Sequence, residues 1–294
     1  MAKIALDLEH AVTRRHIDGA AGEMGWRELA AGDGWSASDV ICTAGPRERA
    51  FEEEHPAVSI AVVLAGTFQY RSSLGRELLS PGSLMLGNEG QRYECSHDHG
   101  TGDRCVLFRY TRAYLDRLGV EGRFGALRVP PLRPLAPLVA KASAGLAGAE
   151  VPWEALSTQL ISETLANAGT AAERDDPTPA AVWRVTRSIR MIENEPDADL
   201  ALNVLAGQAG LSPFHFLRIF ERLTGTTPHQ YVLRMRLREA ATRLATEPGN
   251  ILEIALDCGF HEASHFTRAF RTEFGVSPKA WHPRRAGGRK RRTR

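Results

Sequence analysis

The sequence predicts an α+β chain: an N-terminal small β-barrel, a helical connector, and an all-α C-terminal domain with two helix-turn-helix motifs. Three observations predict it. Residues 210–281 contain nearly the same segment twice. Residues 38–112 alternate short apolar runs with turn residues. The 294 residues leave room for two domains, and their charge divides accordingly. Residues 181–294 carry a net +8 and residues 1–180 a net −6, within an overall +2.

The repeat defines the C-terminal half. Its first copy opens at Gly210 and its second at Gly259, and each reaches a His-Phe-x-Arg-x-Phe core, at His215 and His265. Each then ends in Gly-x-[Thr/Ser]-Pro, at Gly225 to Pro228 and Gly275 to Pro278. Two copies are too few for a solenoid, which needs stacked neighbours. A pair of equal units instead suggests two equivalent contacts with something periodic, and DNA is such a partner. Within each copy the pattern is helix, glycine turn, helix. Leu202, Leu205, Ala206 and Ala209 give helical apolar spacing, and Gly210 stands where a positive φ belongs. Ser212 suits an N-cap, and Pro213 suits the first helical position, where its missing N–H costs nothing. Ile251, Ile254, Ala255 and Cys258 before Gly259 repeat the scheme. In a helix-turn-helix the second helix lies in the major groove.

A helical wheel separates the core face from the reading face. Phe216, Ile219, Phe220 and Leu223 form the inward stripe of the first copy. Phe214, Leu217, Arg218 and Glu221 oppose it, flanked by His215 and Arg222, with Ser212 at the helix start. In the second copy Phe266, Ala269 and Phe270 face inward. Ser264, Thr267, Arg268 and Arg271 face outward, flanked by His265, with His261 and Glu262 at the start. Arg218 and Arg268 hold equivalent positions, and arginine donates paired hydrogen bonds to O6 and N7 of guanine.

These motifs resemble the DNA-binding domain of the AraC/XylS transcriptional regulators over residues 181–283, about a third of the chain. The matching pieces include Leu205-Ala206, Gly210, the Phe216 to Phe220 core, Gly225 to Tyr231, Ile254 to Phe260 and Ser264 to Phe270. The resemblance implies two helical subdomains joined by a central helix, with recognition helices in successive major grooves of double-stranded promoter DNA. It also implies an activator working with RNA polymerase. Residues 228–246 suit the central helix: Pro228 starts it, Val232, Met235, Leu237, Ala240, Ala241 and Leu244 give its apolar face, and Glu247-Pro-Gly-Asn ends it.

In the N-terminal half, strands are expected at 58–64, 67–71, 76–79, 83–86, 91–96 and 104–110, with turns at Gly66, 73–75, Pro81-Gly82, 88–90 and 100–102. Many short antiparallel strands suggest a barrel or sandwich. Leu64-Ala-Gly66 and the run from Leu79 to Leu86 resemble the cupin-type sensor domain often attached to AraC/XylS proteins. Metal-binding cupins place His-x-His soon after the early glycine, and residues 68–71 contain no histidine. A separate cluster, Cys95, His97, His99 and Cys105, offers zinc ligands. If residues 95–99 continue as a strand, the first three share one face, and Gly100 and Gly102 bring Cys105 near. A thiol switch of Cys95 and Cys105 with Cys42, or an inert polar hairpin, are the other readings of the same residues.

The expected domains are 1–130 (cupin-like sensor), 131–170 (helical connector), 171–179 (linker), 180–283 (DNA-binding domain, opened by a helix over 180–194) and 284–294 (basic disordered tail). Helices are expected at 132–141 and 153–167. The face formed by Leu156, Leu160, Ile161 and Leu165 serves either a homodimer or the chain's own barrel. No apolar stretch is long enough for a membrane span, Asp7, Glu9 and His10 break any apolar core of a secretory signal, and four cysteines form no disulfide framework. A cytoplasmic DNA-binding regulator with a small-molecule effector is the expected function, and not an enzyme. The alternative is a cupin-type metalloenzyme with an accessory DNA-binding domain, although no nucleophile elbow, phosphate loop or complete cupin metal motif is present.

Overall fold

The computed structural model describes residues 3–46, 51–98, 100–169, 177–195, 198 and 200–282. The expected linker falls largely, and the expected tail wholly, outside them. The N-terminal half contains α1 (Lys3–Asp18), then β1 (Met24–Gly32), β2 (Trp35–Cys42), β3 (Phe51–Glu54), β4 (Val58–Gly66), β5 (Phe68–Ser72), β6 (Gly75–Leu79), β7 (Leu84–Gly87), β8 (Arg92–Ser96) and β9 (Asp103–Tyr110). It continues through α2 (Arg112–Leu118), β10 (Arg128–Val129), a 3-10 turn (Arg133–Leu135), α3 (Ala136–Leu146) and α4 (Trp153–Asn167). The C-terminal half is helical: α5 (Pro179–Asn194), α6 (Leu202–Gln208), α7 (Pro213–Thr224), α8 (Pro228–Thr246), α9 (Ile251–Asp257), α10 (Ala263–Phe274) and α11 (Pro278–Trp281). The α+β class holds. Among the described residues no helix is long and apolar enough to cross a membrane.

The strands form two antiparallel sheets, ordered β1-β2-β9-β4-β7-β10 and β3-β8-β5-β6. The centre of the larger sheet is covered on both faces, which explains why every residue of β4 is buried. On one face Ile60, Val62, Val106 and Phe108 meet α1, α3 and α4. On the other, Val40, Val63, Cys105 and Leu107 pack with Phe68, Tyr70 and Leu79 of the smaller sheet. Strand alternation thus sends Arg104, Val106 and Phe108 one way and Asp103, Cys105 and Leu107 the other. Burying Arg104 requires partners. It forks onto Asp39 through two 2.9 Å bonds and reaches Ile4 O at 3.1 Å and Asp7 at 3.0 Å, tying α1 to the sheet.

Four expectations change. The β region begins at Met24 rather than near residue 38, and α1 precedes it. The chain leaves β8 at Ser96, so residues 95–99 are not one strand, and His99 lies outside the described residues. The expected helix over 132–141 becomes the 3-10 turn followed by α3, which runs on to Leu146. Leu156, Leu160 and Ile161 are buried in this chain's own core with Leu165 packed against it, so that face is not free to pair subunits.

The helical half has two cores, and α8 contributes to both. Tyr231 and Val232 join α5, α6 and α7, while Leu237, Ala240, Ala241 and Leu244 join α9 and α10. The two halves of the chain also touch. Ala140 of α3 enters the second helical core, Thr242 lies 3.1 Å from Ser143, and the Gly66 N–H donates to the Glu193 carboxylate at 3.0 Å.

Candidate nucleic-acid interface

Each repeat folds as its local signals require. Gly210 and Gly259 follow α6 and α9 with φ of 66° and 79°, a left-handed turn that a Cβ would oppose. Ser212 caps α7 by accepting from the His215 N–H, with Pro213 at the first position. Phe216, Phe220 and Leu223 are buried, Ile219 half-buried. The opposite face leaves Ser212, Phe214, His215, Arg218, Glu221 and Arg222 exposed and Leu217 half-buried. Phe214 is 69% exposed, and the Arg218 guanidinium lies 5.8 Å from its ring centre. An exposed phenyl ring on that face is chemically apt for a thymine methyl group.

The second repeat matches. Phe266 and Phe270 are buried and Ala269 half-buried, while His261, Glu262, Ser264, His265, Thr267, Arg268 and Arg271 are exposed. Glu262 is the N-cap of α10, and its side chain makes no capping bond there. Every residue expected to read bases therefore sits on or beside the outward face of α7 or α10. A residue the sequence did not single out joins the two modules: Arg236 of α8 donates to Gly259 O at 3.2 Å and Ala198 O at 3.1 Å. Beside it, His229, His265 and Arg268 line a concave surface between the modules. Imidazole and guanidinium donors in such a concavity suit phosphate contact.

The N-terminal half holds a cavity of about 90 Å³ between the sheets, lined among others by Trp26, His55, Phe68, Met85, Tyr93 and Arg109. His55 is fixed by a buried network. Tyr70 donates its only proton to Leu86 O at 3.1 Å, so it accepts from His55 Nε2 at 2.7 Å, and Ser59 donates to Nδ1 at 2.9 Å. Burial, with help from nearby Arg109, lowers the His55 pKa to about 4 and keeps the ring neutral.

Cys42, His97, Asp103, Cys95 and Cys105 line the same cavity. His97 Nε2 lies 2.6 Å from Asp103 Oδ2. Burial opposes charge on this ring, yet hydrogen bonds with Asp103 and Cys42 outweigh it and raise the pKa to about 10. Among the described residues, the three groups whose donor atoms all lie within 4.8 Å of one another are Cys42, His97 and Asp103. Of the cluster expected from sequence, His97 alone belongs to that trio, and Cys95 and Cys105 stand around it. Asp103 escaped sequence reading because β2 and β9 pair Cys42 directly with it, a register no local motif announces. Burial pushes the Cys95 and Cys105 thiols well up, which leaves them protonated and weakens the thiol-switch reading.

A family profile described as a helix-turn-helix domain matches residues 205–284. The chain is similar to the HTH-type transcriptional regulator MtrA of Neisseria gonorrhoeae, 31% identical over 107 residues, covering 36% of this chain and 35% of that protein. It is also similar to the transcriptional activator NphR of a Rhodococcus species, 32% identical over 161 residues, covering 54% of this chain and 45% of that one. Among solved structures, the DNA-binding domain of AdpA in complex with a target DNA is 27% identical, covering 34% of this chain and 89% of that one with a TM-score of 0.33. The match spans about a third of the length of the first curated relatives.

Proposed function

We propose that the chain is a sequence-specific transcription regulator of the AraC type that binds double-stranded promoter DNA, a reading supported by the helix-turn-helix profile that matches residues 205–284. The observation that carries this reading is the pair of exposed faces on α7 and α10, with Arg218 and Arg268 at equivalent places. The basic balance of residues 181–294 supports it, since neutralised phosphates release counterions. Residues 1–130 serve as the sensor, 131–170 as connector, 171–179 as linker, 180–283 as DNA-binding domain and 284–294 as a basic tail adding non-specific affinity. A small-molecule effector enters the cavity between the sheets, whose lining mixes Trp26, Phe68 and Met85 with polar groups such as His55, Tyr93 and Arg109 that could orient such a ligand. The regulator works in the cytoplasm as an activator, recruiting RNA polymerase, and a homodimer would use a surface other than the buried face of α4. The metalloenzyme alternative draws no support from relatives named as transcription regulators.

The test is a footprint. One subunit is expected to protect two patches about one helical turn apart, roughly 10 bp. They are expected to differ in sequence, because Phe214, Leu217, Arg218 and Glu221 do not match Ser264, Thr267, Arg268 and Arg271. A single short patch per subunit would overturn the two-module reading. At finer grain, Arg218→Ala and Arg268→Ala are each expected to cost about 1–3 kcal/mol at one base position and relax specificity there. Competition binding against single-base operator variants reads this out. Uniform weakening on all sequences would make these arginines phosphate contacts instead.

A further inference from the structure

We propose that Cys42, His97 and Asp103, with Cys105 as fourth donor, form a zinc-class metal site at the inner face of the larger sheet. The sheet builds the site. Cys42 and Asp103 are directly opposed across β2 and β9, so their side chains leave the sheet on the same face. Cys105, two residues further along β9, shares that face, with its Sγ 3.7 Å from Asp103 Oδ1. His97, just beyond β8 of the facing sheet, closes the group from the other side, 2.6 Å from Asp103.

Distance, charge and donor type agree. Zinc bonds of about 2.0–2.3 Å in a tetrahedron place donors roughly 3.3–3.8 Å apart. The Cys42, His97 and Asp103 donor atoms already lie within 4.8 Å of one another, so small side-chain rotations suffice. Both rigid walls are strands or strand ends, which hold the donors without ordering a loop. A thiolate and a carboxylate from Cys42 and Asp103 cancel the charge of a divalent ion, and a Cys105 thiolate as fourth donor leaves the filled site with a single net negative charge. Sulfur and imidazole favour zinc over magnesium or calcium, which take oxygen donors. Binding exchanges the His97–Asp103 hydrogen bond for two bonds to the ion. All the donors line the cavity, which gives the ion a way in. The site stands on geometry in the N-terminal half and does not depend on the DNA-binding reading.

The experiment uses the full chain, stripped with a chelator and titrated with zinc and then cobalt. One ion per chain is expected, and the cobalt form should show thiolate-to-metal charge-transfer absorption. Cys42→Ser should reduce that band to the part due to Cys105 and weaken binding more than about 100-fold, beyond the 10–100-fold typical of residues that only support a ligand. Cys258→Ser, buried in the helical half, should change neither. Asp103→Asn keeps a polar partner for His97 and should bind weakly while retaining its circular dichroism, which covers a Cys42 variant that fails to fold. Folded wild type that takes up no stoichiometric metal, or cobalt bound without the thiolate band, would overturn the site. A lost DNA footprint with metal binding intact would leave it standing and count against the regulator reading alone.

Discussion

Phe270→Ala is expected to destabilise the second helical module by about 3–5 kcal/mol, a large share of the 5–15 kcal/mol that holds a typical domain together. Phe270 is fully buried, with ring centres 5.5 Å from Phe266, 4.5 Å from Phe274 and 6.0 Å from Trp281. Truncation removes the ring and opens a cavity among aromatic neighbours that cannot easily collapse. Phe214→Ala is the counterpart. Its ring is largely in solvent, so stability should move by no more than about 0.5 kcal/mol, while affinity for operator DNA falls. Denaturant melts of both variants, beside a binding curve for Phe214→Ala, separate the faces of α7 and α10. Equal destabilisation by the two would mean that the exposed phenyl ring packs on something other than DNA.

Raising the pH from 5 to 8 is expected to weaken the contact between the two halves of the chain. Glu193 of α5 accepts the Gly66 N–H at the end of β4. Burial raises its pKa from 4.5 to about 7, against the lowering effect of that bond and of Arg238 on α8 and Arg190 on its own helix. Tyr231 of α8 is the remaining titratable neighbour. A carboxyl group with a raised folded-state pKa holds its proton longer in the docked chain than in the open one. Its favourable contribution is therefore complete below about pH 4.5, declines as the pH climbs through 7, and is gone above that. The shift sets an upper size of roughly 3 kcal/mol. Glu193→Gln keeps an acceptor for Gly66 and removes the titration. Thermal melts across this pH range should therefore flatten in the variant relative to wild type. Identical slopes in the two proteins would assign the pH dependence to other groups.

The helical half was legible because its signals are local. Ser212 and Pro213 start α7, and Pro228 with Glu247-Pro-Gly fixes α8 at the residues expected, Pro228–Thr246. Apolar spacing then sorted the buried phenylalanines from the exposed arginines. The N-terminal half was legible only where hairpins are short, as from β4 to β9. β1 is mostly exposed and its apolar residues do not alternate cleanly, so nothing marked it as a strand. α1 is a charged helix whose place depends on Arg104, about 100 residues away. The cysteine cluster was legible only in part. Alternation along one supposed strand chose Cys95, His97 and His99, whereas the close trio is assembled by pairing between β2 and β9 and by the end of β8 in the facing sheet. Pairing over some 60 residues leaves no trace in a local pattern.

The participation of α8 in both helical cores makes its length a gauge. Each residue added to an α-helix advances the chain by about 1.5 Å and turns it by about 100°. One insertion between Val232 and Leu237 would swing α10 a quarter-turn or more around the helix axis and carry Arg268 out of alignment with Arg218. Side chains along the two outward faces are free to change and so retune what each module reads. The count of residues between the cores is not, and it passes the pitch of one helix on to the spacing of contacts along another.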